Sequence, residues 1–251
     1  MNIPRSSVYY KRKKRGLKLN EELVSQIHQV IQTYPWYGLD RIHHHLKIHG
    51  LKVNRKAVHR ILKIKDWTLS QRSSGKRPRV QAMVSQVKIS DTRWAIDTTH
   101  FGTQKSGWCH VTMVIDCADR QIVGYRVSTS GKARIAMAAL EDGLILRKPK
   151  NLILRSDNGL VFGSKNFVRL CRKWNVRQEY ITPYTPEQNG LVERLFKSLK
   201  DECLWRNNFV SVLEATQAIE KWVNYYNNDR PHRALNMLSP MMWRSQQKQA
   251  A

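Results

Sequence analysis

The chain has 251 residues, with 44 Lys and Arg against 19 Asp and Glu, and a formal net charge of +25. This length allows a sizeable core with smaller attachments, and the charge indicates a polyanionic partner. Nucleic acid is favoured over an anionic membrane surface, because no amphipathic or lipidation signal accompanies the charge. The lack of an 18-residue apolar stretch and of a signal-peptide core predicts a soluble, cytoplasmic protein. The four cysteines have no Cys-x-x-Cys spacing, which argues against disulfides and a structural zinc.

The positive charge is concentrated toward the N-terminus. Residues 1–93 carry 21 basic and 5 acidic side chains, which leaves 23 and 14 for residues 94–251. Residues 1–19 are predicted to be a basic tail that makes non-specific phosphate contacts, and residues 68–90 a basic linker that could also follow a phosphate backbone. The N-terminal part is therefore the stronger electrostatic anchor.

Three helices are predicted within residues 20–67, where apolar residues recur at helical spacing. Asn20 and Asn54 are suited to cap the first and third helices, and Gly50 to end the second, which gives a helix-turn-helix-like DNA-binding domain. A small helical bundle whose basic face does not enter a groove is the open alternative. The candidate DNA contacts on the third helix are Arg55, Lys56, Arg60 and Lys63.

Residues 91–210 are predicted to form a catalytic core, and residues 211–251 a C-terminal helix and tail. Three β-rich runs that read as an antiparallel meander are followed by helices alternating with two further strands, and the last helix covers 212–228. The order β-β-β-α-β-α-β-α predicts a mixed α/β layer fold. The runs are 94–101, 108–116 and 122–129, with later strands at 151–155 and 176–179 and helices at 132–147 and 164–174.

Three carboxylates stand out in this core: Asp97, Asp157 and Glu193, with 35 residues between the last two. Asp97 falls in the first strand and Asp157 just beyond the fourth, so the two are adjacent if those strands pair. At about 100° per residue, Glu193 shares a helix face with Lys197 and Lys200, apart from the apolar face, so these two lysines are candidate DNA phosphate contacts. That apolar face comprises Val192, Leu195, Phe196, Leu199 and Cys203.

Carboxylates brought together in this way can hold two Mg²⁺ ions for phosphoryl transfer. The pairing of each carboxylate with an ion stays open, with Asp97 as the bridging ligand. Asn158 and Gly159 suit a sharp backbone turn that lets DNA come close, and Asn158 is itself a candidate DNA contact. An ordinary Asp-Asn-Gly turn without catalytic role is the alternative.

Several motifs carry a family resemblance. They are Trp94-x-x-Asp97-x-Thr99, Ser156-Asp157-Asn158-Gly159, Thr182-Pro183-Tyr184-Thr185-Pro186-x-Gln188-Asn189-Gly190 with Glu193, Lys200, Tyr34-Pro35-x-Tyr37-Gly38, and Tyr225-Tyr226-Asn227-x-x-Arg230-Pro231-His232-x-x-Leu235. Together they resemble the integrase catalytic core of bacterial insertion-sequence transposases in the retroviral-integrase superfamily, most of all the second-reading-frame product called OrfB. The resemblance spans nearly the whole chain.

The resemblance implies a ribonuclease-H-like core that nicks and joins double-stranded DNA at element ends and target. It implies Mg²⁺ or Mn²⁺, two ions per site, held by Asp97, Asp157 and Glu193, with Lys200 on the DNA. It also implies a nucleoid-associated homo-oligomer, with the first-reading-frame product as a further candidate partner. The chain starts at Met1 without that frame's helix-turn-helix and coiled coil, so whether this chain alone recognises specific ends stays open. The alternatives are a nuclease that only cleaves and a non-catalytic DNA-binding regulator.

The C-terminal run from Arg230 to Arg233 has two interpretations. It can pin the helix at 212–228 to the core, which we favour, or contact DNA directly. The aromatic residues Trp222, Tyr225 and Tyr226 recur at helical spacing, which predicts core packing rather than base stacking.

Overall fold

The computed structural model describes residues 19–69, 87–181 and 189–249. The chain divides into two compact units, residues 1–72 and 73–251. The predicted basic tail and linker fall almost entirely outside the described residues, and so does the Thr182–Gln188 part of the motif before Glu193. Within the described ranges, no helix has both the length and the apolar content needed to cross a membrane.

The first unit contains the three predicted helices: α1 (Glu21–Thr33), α2 (Leu39–Ile48) and α3 (Arg55–Ile64). The side chain of Asn20 accepts a hydrogen bond from the Leu23 N–H at 3.2 Å, and Asn54 accepts one from the Lys56 N–H at 2.8 Å. Gly50 has a φ of +86°, a left-handed conformation that ends α2 at little steric cost. Both predicted N-caps and the predicted helix stop are therefore confirmed.

Apolar side chains on one face of each helix form the core of this unit. Its buried members are Leu23, Val24, Ile27, Val30, Tyr37, Ile42, Leu46, Val58, Ile61 and Leu62. The opposite side of α3 leaves Lys56, Arg60 and Lys63 exposed in one stripe, because these residues are four and three positions apart. Arg55 is exposed too, and its Nε lies 2.8 Å from the Asp40 carboxylate.

The second unit has the predicted order of strands and helices. Its elements are β1 (Arg93–Thr103), β2 (Gly107–Asp116), β3 (Ile122–Ser128), α4 (Ala133–Arg147), β4 (Ile153–Ser156), α5 (Lys165–Lys173), β5 (Arg177–Tyr180), α6 (Gly190–Glu202), α7 (Val212–Asn228) and α8 (Pro240–Gln249). The five strands form one sheet in the order β3-β2-β1-β4-β5. β1, β2 and β3 pair antiparallel as the predicted meander, whereas β4 and β5 join parallel to β1.

Two apolar layers cover the two faces of this sheet. On one face, strand residues such as Ile96 and Leu154 pack with α4 and α5. On the other face, strand residues such as Ala95 and Met113 pack with α6 and α7. Trp222 and Tyr226 are buried in this second layer and Tyr225 packs against it, which confirms the core role predicted for these aromatics.

The helix α8 is not predicted from the sequence. This segment was predicted as a tail, because Met-Met-Trp-Arg-Ser-Gln-Gln has little apolar periodicity. Two ion pairs join α8 to the core: Arg244 contacts Asp91 at 2.7 Å and Asp119 at 2.9 Å. Arg147 at the end of α4 also contacts both carboxylates, so the start of the core, α4 and α8 meet in one ionic network.

Candidate active site

Asp97 lies on β1, and Asp157 directly follows the neighbouring strand β4. The parallel pairing of β1 with β4 aligns Trp94 with Leu154 and Ala95 with Arg155, and continuing this register sets Asp97 beside Asp157. Parallel neighbours are about 4.8 Å apart across the sheet. The strand pairing on which the predicted adjacency depended is therefore confirmed.

The pleat decides which side of the sheet Asp97 faces. Successive side chains of a strand point to opposite faces, and Ala95 belongs to the layer under α6 and α7 while Ile96 belongs to the layer under α4 and α5. Asp97 therefore points toward α6 and α7. Its carboxylate accepts a hydrogen bond from the Thr98 N–H at 2.7 Å, which restricts its orientation.

The helix α6 brings Glu193 to the same side of the sheet. The helix packs against β1 and β2 through the five apolar residues predicted for that face, and all five are buried. Glu193, in the first turn, and Lys197, one turn later, are exposed, while Lys200 is half-buried. The helix geometry inferred from the sequence is thus confirmed, with the acidic and basic side chains off the packed face.

The pKa of Asp97 responds to the charges of both other carboxylates. Burial raises the pKa of Asp97 to about 6, although the hydrogen bond from the Thr98 N–H opposes the rise. The negative charges of Asp157 and Glu193 raise this pKa further, and the charge of Lys200 lowers it. All three other groups are therefore close enough to Asp97 to influence its ionisation.

The donor set fits a divalent cation. Carboxylate oxygens are the hard ligands that Mg²⁺ prefers, and a cation would relieve the repulsion that raises the pKa of Asp97. Among the residues that the structure describes, no three acidic, His or Cys side chains are already close enough to enclose an ion.

The two residues that follow Asp157 hold the loop after β4 in place. The Gly159 N–H donates a hydrogen bond to Asp157 Oδ1 at 3.0 Å, and a Cβ at Gly159 would lie 2.9 Å from the same oxygen. Asn158 donates from Nδ2 to the Ile181 carbonyl at 2.9 Å, so its side chain ties this loop to the end of β5. Glycine at position 159 thus leaves room for the Asp157 carboxylate. The sequence predicted only a sharp backbone turn at this position.

A buried ion pair, not predicted from the sequence, lies at the far end of α6. Arg230 and Glu202 are 2.7 Å apart with side chains 6% and 4% exposed, and Arg230 Nη2 also donates to Ser198 Oγ at 3.0 Å. Trp222 Nε1 donates to Glu202 at 3.2 Å. The Arg-Pro-His motif draws attention to Arg230 in the sequence. Nothing marks Glu202 in the same way, because a glutamate at this position looks like an ordinary helix-surface residue.

Comparisons with known protein families agree with this architecture. The family described as Integrase core domain matches the chain over residues 88–186 and again over residues 175–240. Together the two matches span well over half of the chain. The chain belongs to the integrase-core family. A further match, to the family described as HTH-like domain, covers residues 18–74 of this integrase-core protein.

Curated relatives of this integrase-core protein come from bacterial insertion sequences. It is 28% identical to transposase InsF for insertion sequence IS3A of Escherichia coli K12, over 81% of this chain and 75% of that protein. It is 23% identical to the putative transposase InsK for IS150 of the same organism, over 97% and 90%. An uncharacterized protein of insertion element IS476 from Xanthomonas euvesicatoria is 25% identical over 88% of this chain, which spans 64% of that relative's length.

Among solved structures, the catalytic core domain of BIV integrase is 20% identical and covers 64% of this chain and 99% of its own, with a TM-score of 0.49. The HTLV-2 integrase catalytic core domain in complex with magnesium is 19% identical and covers 61% and 95%, with a TM-score of 0.48.

Family membership and sheet order confirm the predicted ribonuclease-H-like core with a helix-turn-helix-like region before it. They also confirm the predicted enzyme class: the chain is an enzyme of the polynucleotidyl transferase type. Enzymes of the integrase-core family generally use a divalent metal ion, which agrees with the chemistry of the three carboxylates.

Proposed function

We propose that this protein is a DNA transposase that cleaves DNA strands at the ends of an insertion sequence and transfers them to a target. One observation carries the proposal: the register of β1 with β4, continued, sets Asp97 on β1 beside Asp157 directly after β4, and Glu193 comes to the same side of the sheet on α6. The integrase-core matches and the insertion-sequence relatives support the DNA substrate.

The three carboxylates are proposed to hold two Mg²⁺ or Mn²⁺ ions. Bound ions of this kind can activate the attacking oxygen and stabilise the leaving oxygen of a phosphodiester. Asp97 is suited to the shared position because it is partly buried and the charges of both other carboxylates act on it. The Thr98 N–H holds the Asp97 carboxylate in place, and the Gly159 N–H does so for Asp157.

The basic residues of α6 are proposed to position the DNA strand. Lys197 is exposed one turn after Glu193, and Lys200 is close enough to Asp97 to lower its pKa. Lysine ammonium groups at these positions can bind the phosphates on either side of the scissile bond. Water or a 3′ hydroxyl is the nucleophile in this proposal, with no covalent protein–DNA intermediate.

The first unit is proposed to anchor DNA through the exposed stripe on α3. Lys56, Arg60 and Lys63 point away from the packed side of the unit. Joining two element ends to one target further implies a homo-oligomer in the DNA complex. The first-reading-frame product stays a candidate partner.

Strand transfer is the test that separates this function from its alternatives. The full chain is incubated with MgCl₂, a supercoiled plasmid and a labelled duplex carrying the element end that flanks its gene. A transposase yields labelled end joined to plasmid, whereas a nuclease yields only shortened label. A DNA-binding regulator retains the duplex without cutting it. Absence of joined product under conditions where the duplex is bound would contradict the proposal.

A further inference from the structure

The chain around Asp157 is attached to the neighbouring strand β5 at two places. At the first, the Ile181 N–H donates a hydrogen bond to the Ser156 carbonyl at 3.1 Å, and Asn158 Nδ2 donates to the Ile181 carbonyl at 2.9 Å. At the second, the carbonyl of Phe162 accepts hydrogen bonds from two side chains of β5. The loop after β4, residues 157–164, is therefore held near its start and near its end.

Gln178 and Tyr180 make the second attachment. Gln178 Nε2 donates to the Phe162 carbonyl at 2.9 Å, and the Tyr180 hydroxyl donates to the same oxygen at 3.2 Å. Gln178 Nε2 also donates to Tyr180 Oη at 3.1 Å. An amide group has two N–H donors and a carbonyl oxygen has two lone pairs, so all three hydrogen bonds can form together. Burial raises the pKa of the Tyr180 phenol, so the hydroxyl keeps the proton that it donates.

The sheet geometry explains how these two side chains reach the loop. The parallel pairing of β4 with β5 aligns Leu154 with Gln178 and Ser156 with Tyr180, and residues paired across two strands point to the same face. Leu154 packs in the layer under α4 and α5, so Gln178 and Tyr180 lie on that face. Asp97 points to the opposite face. The two side chains of β5 therefore act on Asp157 through the backbone of the loop.

A continuous series of hydrogen bonds runs from β5 to the Asp157 carboxylate. Gln178 and Tyr180 donate to the Phe162 carbonyl, the Phe162 N–H donates to the Gly159 carbonyl at 3.1 Å, and the Gly159 N–H donates to Asp157 Oδ1 at 3.0 Å. The side chain of Phe162 is 3% exposed and is fixed in the core. Each link of the series is thus a direct contact.

The middle of the loop depends on these hydrogen bonds for its order. Leu160 is 94% exposed, so its side chain contributes little packing that could hold the loop in place. Residues that orient a metal ligand typically change metal affinity by about 10–100-fold when they are replaced, because the ligand must be held close to its bound position. The attachment of Phe162 to β5 is suited to this role.

We propose that Gln178 and Tyr180 are positioning residues that hold the Asp157 carboxylate in place for metal binding, through the carbonyl of Phe162. This inference rests on the proposed function, because it takes the divalent ion from the proposed metal centre. The two side chains touch neither the ion nor the DNA. Their effect on the reaction is transmitted by the loop that carries Asp157.

The test is Mn²⁺ binding by the full chain without DNA, followed by the electron paramagnetic resonance signal of free Mn²⁺. The double variant Gln178→Met with Tyr180→Phe removes both donors and keeps side chains of similar size. It is expected to bind Mn²⁺ at the carboxylates about tenfold more weakly than wild type, at the lower end of the range for residues that orient metal ligands. Asp157→Asn in the same titration measures the Mn²⁺ that binds elsewhere on the protein.

Amide hydrogen exchange in EDTA gives a second measurement that needs no metal. In the double variant, the N–H groups of Gly159, Phe162 and Gly163 are expected to exchange faster than in wild type, because the hydrogen bonds of these groups belong to the loop that is released. The exchange rates of β2 and α7 and the affinity for a DNA duplex are expected to stay unchanged. Unchanged exchange in the loop would overturn the positioning role.

A matched control separates this role from a general loss of stability. Tyr125→Phe with Gln217→Met makes the same two chemical changes at the opposite end of the sheet order, where both side chains line a groove between β3 and α7. This control is expected to keep the wild-type Mn²⁺ affinity. An equal loss in the control and in the double variant, or wild-type affinity in a folded double variant, would overturn the positioning role.

The single variants keep the test decisive if the double variant does not fold. Gln178→Met and Tyr180→Phe each leave one donor on the Phe162 carbonyl, so each is expected to lose Mn²⁺ affinity, and by less than the double variant. Wild-type Mn²⁺ affinity in both single variants, together with unchanged exchange in the loop, would overturn the positioning role.

The outcome is separable from that of the proposed function. Strand transfer is measured on the unsubstituted protein. A protein that never joins strands but loses Mn²⁺ affinity in the double variant retains the positioning residues and contradicts the transposase proposal. A protein that joins strands while the double variant keeps its Mn²⁺ affinity contradicts the positioning role alone. A wild-type protein that binds no more Mn²⁺ than Asp157→Asn contradicts both the metal centre and the positioning role.

Discussion

Arg230 donates hydrogen bonds from Nε to both carboxylate oxygens of Glu202, at 3.1 and 2.9 Å, and a third from Nη2 at 2.7 Å. Glu202 ends α6, the helix that carries Glu193, and Arg230 follows α7. The two helices are thus joined by a buried, bidentate ion pair. Of the two interpretations of the Arg-Pro-His motif, the structure supports the one in which it pins the helix at 212–228 to the core.

Replacing Arg230 by methionine is expected to destabilise the core unit by about 3–5 kcal/mol, because Glu202 would stay buried without its partner. Hydrogen exchange over α6 and α7 during urea denaturation of the full chain measures this loss. Adding Glu202→Gln to the same chain is expected to restore part of it. The exposed pair Arg126 and Asp142 is the matched control, and Arg126→Met is expected to change stability by less than about 1 kcal/mol. Equal effects of the two methionine variants would contradict the buried role of Arg230.

The raised pKa of Asp97 predicts a pH-dependent stability in metal-free protein. The pKa is about 6 in the fold against 3.8 for an ordinary aspartate, so ionised Asp97 destabilises the fold above pH 6. This penalty disappears as the pH falls from about 6 toward 4, because the folded state binds the Asp97 proton more tightly than the unfolded state does. Asp97→Asn is therefore expected to be more stable than wild type at pH 7, by on the order of 2–3 kcal/mol, and equal to it near pH 4.

Magnesium is expected to make wild type more stable than Asp97→Asn at pH 7. At pH 7, saturating MgCl₂ should raise the melting temperature of wild type and leave Asp97→Asn unchanged, because ligand binding stabilises only the form that binds. Calorimetric melting with and without MgCl₂ at pH 4, 5, 6 and 7 measures both effects. Parallel stability curves for the two proteins in EDTA would show that Asp97 is not destabilising in its ionised form.

Gly159→Ala is expected to impair the site without unfolding the protein. The added methyl group would lie 2.9 Å from Asp157 Oδ1 and would displace that carboxylate. We expect nicking to require at least about tenfold more MgCl₂, which corresponds to roughly 1.4 kcal/mol of lost metal binding. Gly163→Ala, in the same loop with open space around it, serves as the control and should behave as wild type. Identical magnesium dependence of the two alanine variants would refute the role of Gly159.

The stripe on α3 is expected to contribute to DNA affinity. The triple variant Lys56→Gln, Arg60→Gln, Lys63→Gln should bind a duplex about tenfold more weakly at moderate salt, since it removes phosphate contacts without touching the buried side of the helix. Anisotropy titrations measure the affinity, and circular dichroism checks that helicity is kept. Lys47→Gln with Lys52→Gln is the control for lost charge outside the stripe. A triple variant no weaker than this control would exclude groove or backbone binding by α3.

Local patterns predicted most of the fold because local chemistry determines it. The Asn20 and Asn54 caps, the strands around Ile96 and Val114, and the packed face of α6 follow from periodicity and capping, and the structure agrees with each. Strand ends differed by one or two residues, as at β4, where pairing with β1 rather than composition decides the boundary.

Features built from distant contacts could not be predicted in the same way. The ion pair of Glu202 with Arg230 and the attachment of α8 through Arg244 both join segments far apart in the sequence. The adjacency of Asp97 and Asp157 was predicted only on condition that β1 and β4 pair. The resemblance to integrase cores supplied what spacing alone did not, namely which three of many acidic residues belong together.

The central claim is that Asp97, Asp157 and Glu193 serve catalysis and not DNA binding. Its most direct test measures magnesium-dependent nicking and, in EDTA, duplex affinity for Asp97→Asn, Asp157→Asn and Glu193→Gln. Each variant removes a proposed metal ligand and keeps every basic side chain, so nicking should be abolished while DNA affinity stays equal to wild type or rises. Wild-type nicking in any one of the three variants would contradict the assignment of that carboxylate to the site.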